Sequence, residues 1–201
     1  AGADAAVGCG YKFLNGGPGA PAFLWLHPRH AARAMPTIWG WLGHARPFDF
    51  APGYAPAEGI ARFVCGTPGV LATAALEEGV RTLLAAEAHG GMAAIRAKSL
   101  ALTRIFAELV EARLAGHGLA VVTPREDARR GSQVCLSRAE GGYGIIQALI
   151  ARGVVGDFRA PDILRFGVTP LYTRHVEMWD AVEALRAVLE GGVWREPRFA
   201  R

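Results

Sequence analysis

From Met92 to Leu114 the chain runs without a glycine or proline and repeats its apolar residues at helical spacing. Leu102, Ile105, Phe106, Leu109 and Val110 fall on one stripe, the signature of a long amphipathic helix. Lys98 lies off that stripe and is expected at solvent. A helix of this length must bridge the segments on either side of it. Gly116 to Gly118 ends it and starts a different pattern. Strands are expected at Leu119–Thr123 and Ser132–Leu136. A short helix over Tyr143–Arg152 comes next, burying Ile145, Ile146, Leu149 and Ile150. Two more strands, Val154–Phe158 and Ile163–Val168, lead to a closing helix over Val176–Leu189 with Met178, Trp179, Val182, Leu185 and Leu189 facing in. Strand, strand, helix, strand, strand, helix describes a small α+β unit with its helices on one face of a sheet.

The part before the bridge reads differently. Ala5 to Gly10 is short, apolar and small, as in a buried strand. Asn15-Gly16-Gly17-Pro18-Gly19 is a turn, and Ala22 to Leu26 reads as a second strand paired after it. Thr37 to Tyr54 packs aromatics among Gly and Pro with neither helical nor strand period. An ordered loop lining a pocket accounts for it, with Trp41 its strongest candidate; any single aromatic there could equally cover a core edge. Gly59 to Gly66 alternates like a strand. Thr67 and Pro68 then suit the N-cap and first turn of a helix continuing over Leu71–Glu87, with Leu76, Val80, Leu83 and Leu84 on one face. Such a helix start is a ready anion site. His89-Gly90-Gly91 breaks that helix.

A chain of 201 residues can bury a substantial core as one domain or two. No apolar run is long enough to span a bilayer, and the first residues lack the pattern of a signal peptide. The chain opens at Ala1, in strand-like sequence, as expected of a piece of a longer protein. A net charge of +4, with arginines scattered rather than clustered, argues against a nucleic-acid surface. Cys9, Cys65 and Cys135 are widely spaced inside apolar runs, with no metal-ligand spacing. Buried free thiols are expected.

Lys12 stands out chemically. It and Lys98 are the only lysines; every other cation is arginine. A lone lysine beside Tyr11 and a Gly-Gly turn suggests an ammonium group chosen for its chemistry. Lysine can lose its proton when desolvated and then act as a nucleophile or form a Schiff base. A strand-end lysine reaching solvent is the equally available structural alternative.

Tyr11-Lys12-Phe13-Leu14-Asn15-Gly16-Gly17-Pro18-Gly19 resembles the cofactor-lysine segment of the kynureninase family, pyridoxal-phosphate (PLP) hydrolases of the aspartate-aminotransferase fold, fold type I. The resemblance continues in Gly40-Trp41-Leu42-Gly43-His44, Pro47-Phe48, and Arg62-Phe63 with Gly66-Thr67-Pro68. It returns in Arg130-Gly131-Ser132-Gln133 and in Leu164-Arg165-Phe166 followed by Pro170-Leu171-Tyr172. Separated blocks in the family's order span almost the whole chain.

The resemblance implies an α/β fold corresponding to the C-terminal portion of such an enzyme. Residues 1–90 would be the last part of the large PLP-binding domain. Residues 91–201 would be the bridging helix and the small α+β C-terminal domain. Lys12 would carry pyridoxal 5'-phosphate as a Schiff base and later move the α-proton. Tyr11 would contact the phosphate and assist proton transfer. Trp41 and Thr67 would reach the phosphate from the neighbouring subunit of a homodimer. Arg165 would pair with the substrate's α-carboxylate, and Gly66 would lie with Thr67 near the ring end of the substrate. A planar, permanently charged fork suits that carboxylate, although strand alternation alone also allows Arg165 an ordinary solvent-facing place. His44 is read as structural. No metal is implied.

The implied reaction is hydrolysis of L-kynurenine to anthranilate and L-alanine in a cytoplasmic enzyme of tryptophan catabolism and NAD biosynthesis. Thr67 favours the unhydroxylated substrate over 3-hydroxykynurenine. The family's pyridine-binding Asp, ring-stacking aromatic and phosphate loop precede the lysine. Asp4 stands too close to Lys12 to be the pyridine partner. A chain lacking those parts is expected to bind cofactor poorly and not to turn over alone. Two rivals stand: another fold-type-I enzyme, such as a cysteine desulfurase or class-V aminotransferase, and a dimerisation module without activity. A desulfurase needs a cysteine on a mobile loop, and Cys9, Cys65 and Cys135 all read as strand residues.

Overall fold

The computed structural model describes residues 2–200. The chain forms two compact units, divided between Ala85 and Ala86.

In the first unit, β1 (Ala5–Cys9) and β2 (Ala22–Leu26) form a two-stranded antiparallel ribbon, with Ala5 opposite Leu26 and Cys9 opposite Ala22. The expected burial of β1 does not hold: Val7 is 78% exposed, and Phe23, Leu24 and Trp25 across the ribbon are exposed as well. An apolar run shows that a strand can be covered, not that this unit covers it. A single turn, α1 (Pro28–Ala31), follows. The segment from Met35 to Tyr54 is irregular apart from a 3-10 turn at Trp41–Gly43, as its lack of period predicts.

Two expectations in this unit are corrected. Gly59–Phe63 is a 3-10 turn, not a strand. The reason is Arg62, which is buried and turned inward. Its Nε donates to the carbonyl of Ala57 at 3.0 Å, and its Nη1 donates to those of Ala32 and Ala34 at 3.3 and 3.2 Å. Alternation therefore marks a turn wrapped around an arginine rather than a paired strand. The next helix, α2 (Val70–Leu84), is capped by Gly69, whose ψ of 100° is still extended. Thr67 lies before the cap, so it is not the N-cap. α2 gives way at Ala85 to a 3-10 turn ending at His89. Leu76, Val80 and Leu83 are half-buried, whereas Leu84 is 59% exposed.

The second unit contains α3 (Gly91–Arg113), β3 (Ala120–Val121), β4 (Gln133–Ser137), α4 (Gly142–Ile150), β5 (Asp157–Arg159), β6 (Ile163–Gly167) and α5 (His175–Glu190). The expected order holds. All pairings are antiparallel, in the order β3-β4-β6-β5. Val134 and Leu136 on β4 and Leu164 and Phe166 on β6 point to one face. There they meet Leu102, Phe106 and Val110 of α3, Ile145, Ile146 and Leu149 of α4, and Met178, Val182 and Leu185 of α5. Phe106 and Phe166 lie 5.1 Å apart, centroid to centroid. Full burial of side chains this size stabilises by about 1.5–3 kcal/mol each. Two helix residues depart from expectation. Ile150 closes α4 on the open side and is 41% exposed. Trp179 is 43% exposed, its ring covered by the Arg113 guanidinium at 4.2 Å. Among the described residues, no helix is long and apolar enough to cross a membrane.

Candidate functional site

Lys12 sits at the head of a tightly bonded turn. The Gly10 amide donates to the Pro21 carbonyl at 3.0 Å, Gly16 to Gly10 at 3.1 Å, and Asn15 to Lys12 at 3.0 Å. Asn15 takes a positive φ of 59°, a conformation asparagine tolerates better than most side chains. The turn rests on α2. A Cβ on Gly79 would fall 2.4 Å from the Leu14 carbonyl oxygen, and Cβ atoms on Gly10 and Gly16 would meet Leu76 at 2.9 and 3.0 Å. Asn15 Nδ2 donates to Thr82 Oγ1 at 3.0 Å. The lysine is thus presented by backbone that a helix holds from beneath. Its Nζ lies over the Tyr11 ring, 4.7 Å from the centroid, and both residues are exposed. Asp4 is engaged elsewhere: Arg29 binds it, His30 Nε2 lies 2.6 Å from its Oδ1, and these contacts hold its carboxyl below its ordinary value.

Trp41 and Gly66 form a second group, and Thr67 follows Gly66 in the chain. The Trp41 indole nitrogen lies 3.9 Å from where a Cβ on Gly66 would stand. Trp41 meets Phe48 edge-on at 5.7 Å, and Trp39 stacks on Tyr54 at 4.6 Å. The Tyr54 hydroxyl donates to the Gly43 carbonyl at 2.9 Å, and His44 Nδ1 accepts from the Arg46 amide at 2.9 Å. His44 is therefore a structural residue of this loop. Trp39, Trp41, His44, Arg46, Phe50 and Tyr54 line a concavity of about 340 Å³. The aromatic loop lines a pocket, as its sequence suggests.

Arg165 belongs to the second unit and stands on the sheet face away from the helices. Its Nε and Nη2 donate to Oδ1 and Oδ2 of Asp157, each at 2.6 Å. That hydrogen bonding holds the Asp157 carboxyl below its ordinary value and raises the Arg165 guanidinium. Asp157 carries no motif, and only the register of β5 on β6 places it opposite Arg165. Arg130 is a structural staple: its side chain is 6% exposed, 2.5 Å from Asp127, and its Nε donates to Thr103 Oγ1 at 3.3 Å. The three cysteines are free, as expected, but not buried: Cys9 and Cys135 are half-buried, and Cys65 is exposed and outside any strand. No group of metal-ligating side chains occurs among the described residues.

These groups are what a phosphorylated aldehyde cofactor requires of this part of a protein. There is an accessible amine on rigid backbone, with a phenol beside it. Comparison with known proteins bears on that match. Residues 95–185 match the family model of the kynureninase C-terminal domain. A kynureninase from Burkholderia mallei is 52% identical over 198 residues, covering 98% of this chain and 46% of that protein. Along nearly its whole length the chain is similar to kynureninases. It spans about half the length of the curated relatives it matches. Among solved structures, a cysteine desulfurase from Thermococcus onnurineus superposes with a TM-score of 0.69 at 18% identity, over 95% of this chain and 47% of that one. A variant of C-DES with glycine covalently linked to its PLP cofactor superposes with a TM-score of 0.61 at 18% identity, over 83% and 42%. At that identity the superpositions establish the fold, the C-terminal portion of a fold-type-I enzyme. Arg165 lies inside the stretch that matches the C-terminal domain model.

Proposed function

We propose that the protein of which this sequence is part is a kynureninase, a PLP-dependent hydrolase that cleaves L-kynurenine to anthranilate and L-alanine. The observation that carries the reading is 52% identity to a kynureninase along nearly the whole chain. Residues 1–90 form the last part of the cofactor domain and residues 91–201 the bridging helix and C-terminal domain. The protein works in the cytoplasm as a homodimer.

Each residue has a role in this reading. Lys12 would hold the cofactor through its Nζ and, when free, would take the substrate's α-proton. The turn bonded to α2 keeps that nitrogen in place. Tyr11 donates its hydroxyl to the phosphate and passes protons at the substrate. Trp41, through its indole N–H, and Thr67, through its hydroxyl, bind the phosphate of the neighbouring subunit. Gly66 leaves room beside Trp41 for the substrate's ring, and Thr67 favours the unhydroxylated ring. Arg165 binds the α-carboxylate. Bound there, pyridoxal phosphate supplies an electron sink for the carbon that loses its proton. Water adds to the γ-carbonyl, the bond between the β- and γ-carbons breaks, anthranilate departs, and the remaining three carbons leave as alanine.

The test is product analysis on the full-length protein. Anthranilate and alanine in equal amounts from kynurenine are expected, and Lys12→Ala should abolish both. Substantial turnover by that variant removes the role given to Lys12. Sulfur release from cysteine without cleavage of kynurenine assigns the protein to the desulfurases instead.

A further inference from the structure

The pairing of Asp157 with Arg165 uses only part of the arginine. A guanidinium presents five N–H groups in a fixed plane. The Nε edge is closed by Asp157, with two bonds of 2.6 Å. Nη1 forms no hydrogen bond among the described residues, so the Nη1–Nη2 edge is open to a second carboxylate. The surroundings suit one. Arg159 Nη2 lies 3.6 Å from Asp157 Oδ2, so two arginines face one acid. The neighbour on the other side of Arg165 is Cys135, opposite it in register on β4, whose Sγ accepts from Gln133 Nε2 at 3.0 Å. Among the described residues, no other acid is paired with either arginine. The Arg165 side chain is 30% exposed, enough to be reached without moving the strands.

We propose that Asp157 is the positioning residue of the substrate-carboxylate site: it fixes the plane of Arg165 so that the Nη1–Nη2 edge receives the α-carboxylate while Asp157 stays bound. The proposal rests on the reading of Arg165 given above. Asp157 does not touch the substrate. It acts by removing the rotamer freedom of a long side chain before binding, which would otherwise oppose the new pair. Arg159 offsets the second negative charge, so the arriving carboxylate meets a site that is not already neutral.

The experiment uses the full-length protein with its cofactor and three variants: Asp157→Asn, Asp157→Glu and Arg165→Lys. Asparagine keeps the size but turns one acceptor into a donor, which breaks the two-bond grip. Asp157→Asn should raise KM for kynurenine by about tenfold with kcat changed by less than about threefold, and Asp157→Glu should recover part of the loss. The second readout is the dissociation constant of the decarboxylated amine analogue, which has no carboxylate to lose. It should be the same for parent and Asp157→Asn, whereas a merely structural role would weaken both ligands together. An unchanged KM overturns the proposal. A lowered KM also overturns it and makes Asp157 a competitor that the substrate displaces. Arg165→Lys separates the two layers. If it raises KM and Asp157→Asn does not, only the positioning role fails. If Arg165→Lys leaves KM unchanged, the carboxylate assignment fails and takes the positioning role with it.

Discussion

Gly40 and Cys65 touch backbone to backbone: a Cβ on Gly40 would stand 1.7 Å from the Cys65 carbonyl oxygen. The dihedrals of Gly40, φ −122° and ψ 156°, suit any residue. The glycine is therefore required by the contact and not by the turn. That contact sets Trp41 beside Gly66, the next residue after Cys65. Gly40→Ala should force the two segments apart and destabilise the first unit by about 1–3 kcal/mol. A urea-unfolding midpoint equal to that of the parent would show that the aromatic loop is not held in this way.

Gly79 makes the equivalent contact beneath Lys12. In a helix interior, Gly→Ala ordinarily stabilises by about 1 kcal/mol. Here the added methyl would lie 2.4 Å from the Leu14 carbonyl oxygen, so the turn must lift off α2. Gly79→Ala is expected to destabilise rather than stabilise. It should also reduce the yield of PLP trapped on Lys12 by borohydride, read by mass spectrometry. A stabilised variant with full trapping would mean the turn does not depend on α2.

Arg62 ties its own stretch to residues 32–34 by donating to the carbonyls of Ala57, Ala32 and Ala34. Arg62→Met keeps much of the apolar stem and leaves those carbonyls unanswered, a loss of about 1–3 kcal/mol. Arg62→Lys should recover only part, because one ammonium cannot reproduce a planar fork. Equal stability of the lysine variant and the parent would show that charge alone matters there.

These residues mark how far the sequence can be read. The second unit is legible because its signals are periodic: apolar stripes at helical spacing, alternation in β4 and β6, glycines between them. Leu102, Phe106 and Val110 are buried as their spacing demands. Trp179 escapes the pattern because spacing cannot tell a ring packed in the core from one covered by Arg113. Gly59–Phe63 escapes it because alternation records which side chains turn inward and not whether a neighbouring strand exists; Arg62 turns inward to satisfy carbonyls. The same limit hides Cys65, which sits in an apolar run yet is exposed. Of the proposed functional residues, Lys12, Trp41 and Arg165 stand in recognisable blocks. Asp157 does not, since it meets Arg165 only through the pairing of β5 with β6, which no local pattern specifies.

Glu183 supplies a prediction about pH. It lies on α5 and is bound by Arg113 of α3 and by Arg186, whose Nη2 is 2.8 Å from Oε2. The hydrogen bond from Arg113, then that from Arg186, hold its carboxyl below the ordinary value of 4.5. A depressed pKa in the folded state means that the unfolded chain binds the proton more tightly. The stabilisation is therefore complete above the ordinary value and is lost as pH falls through the folded one. Asp157, held low by Arg165, acts in the same direction. The melting temperature should fall as pH drops below the ordinary carboxylate range. Glu183→Gln should melt below the parent at neutral pH and approach it as the acid limb is descended, since protonation removes from the parent what the substitution has already removed. A difference in melting temperature that stays constant from neutral to acid pH would show that the link between α3 and α5 does not depend on the charge of Glu183.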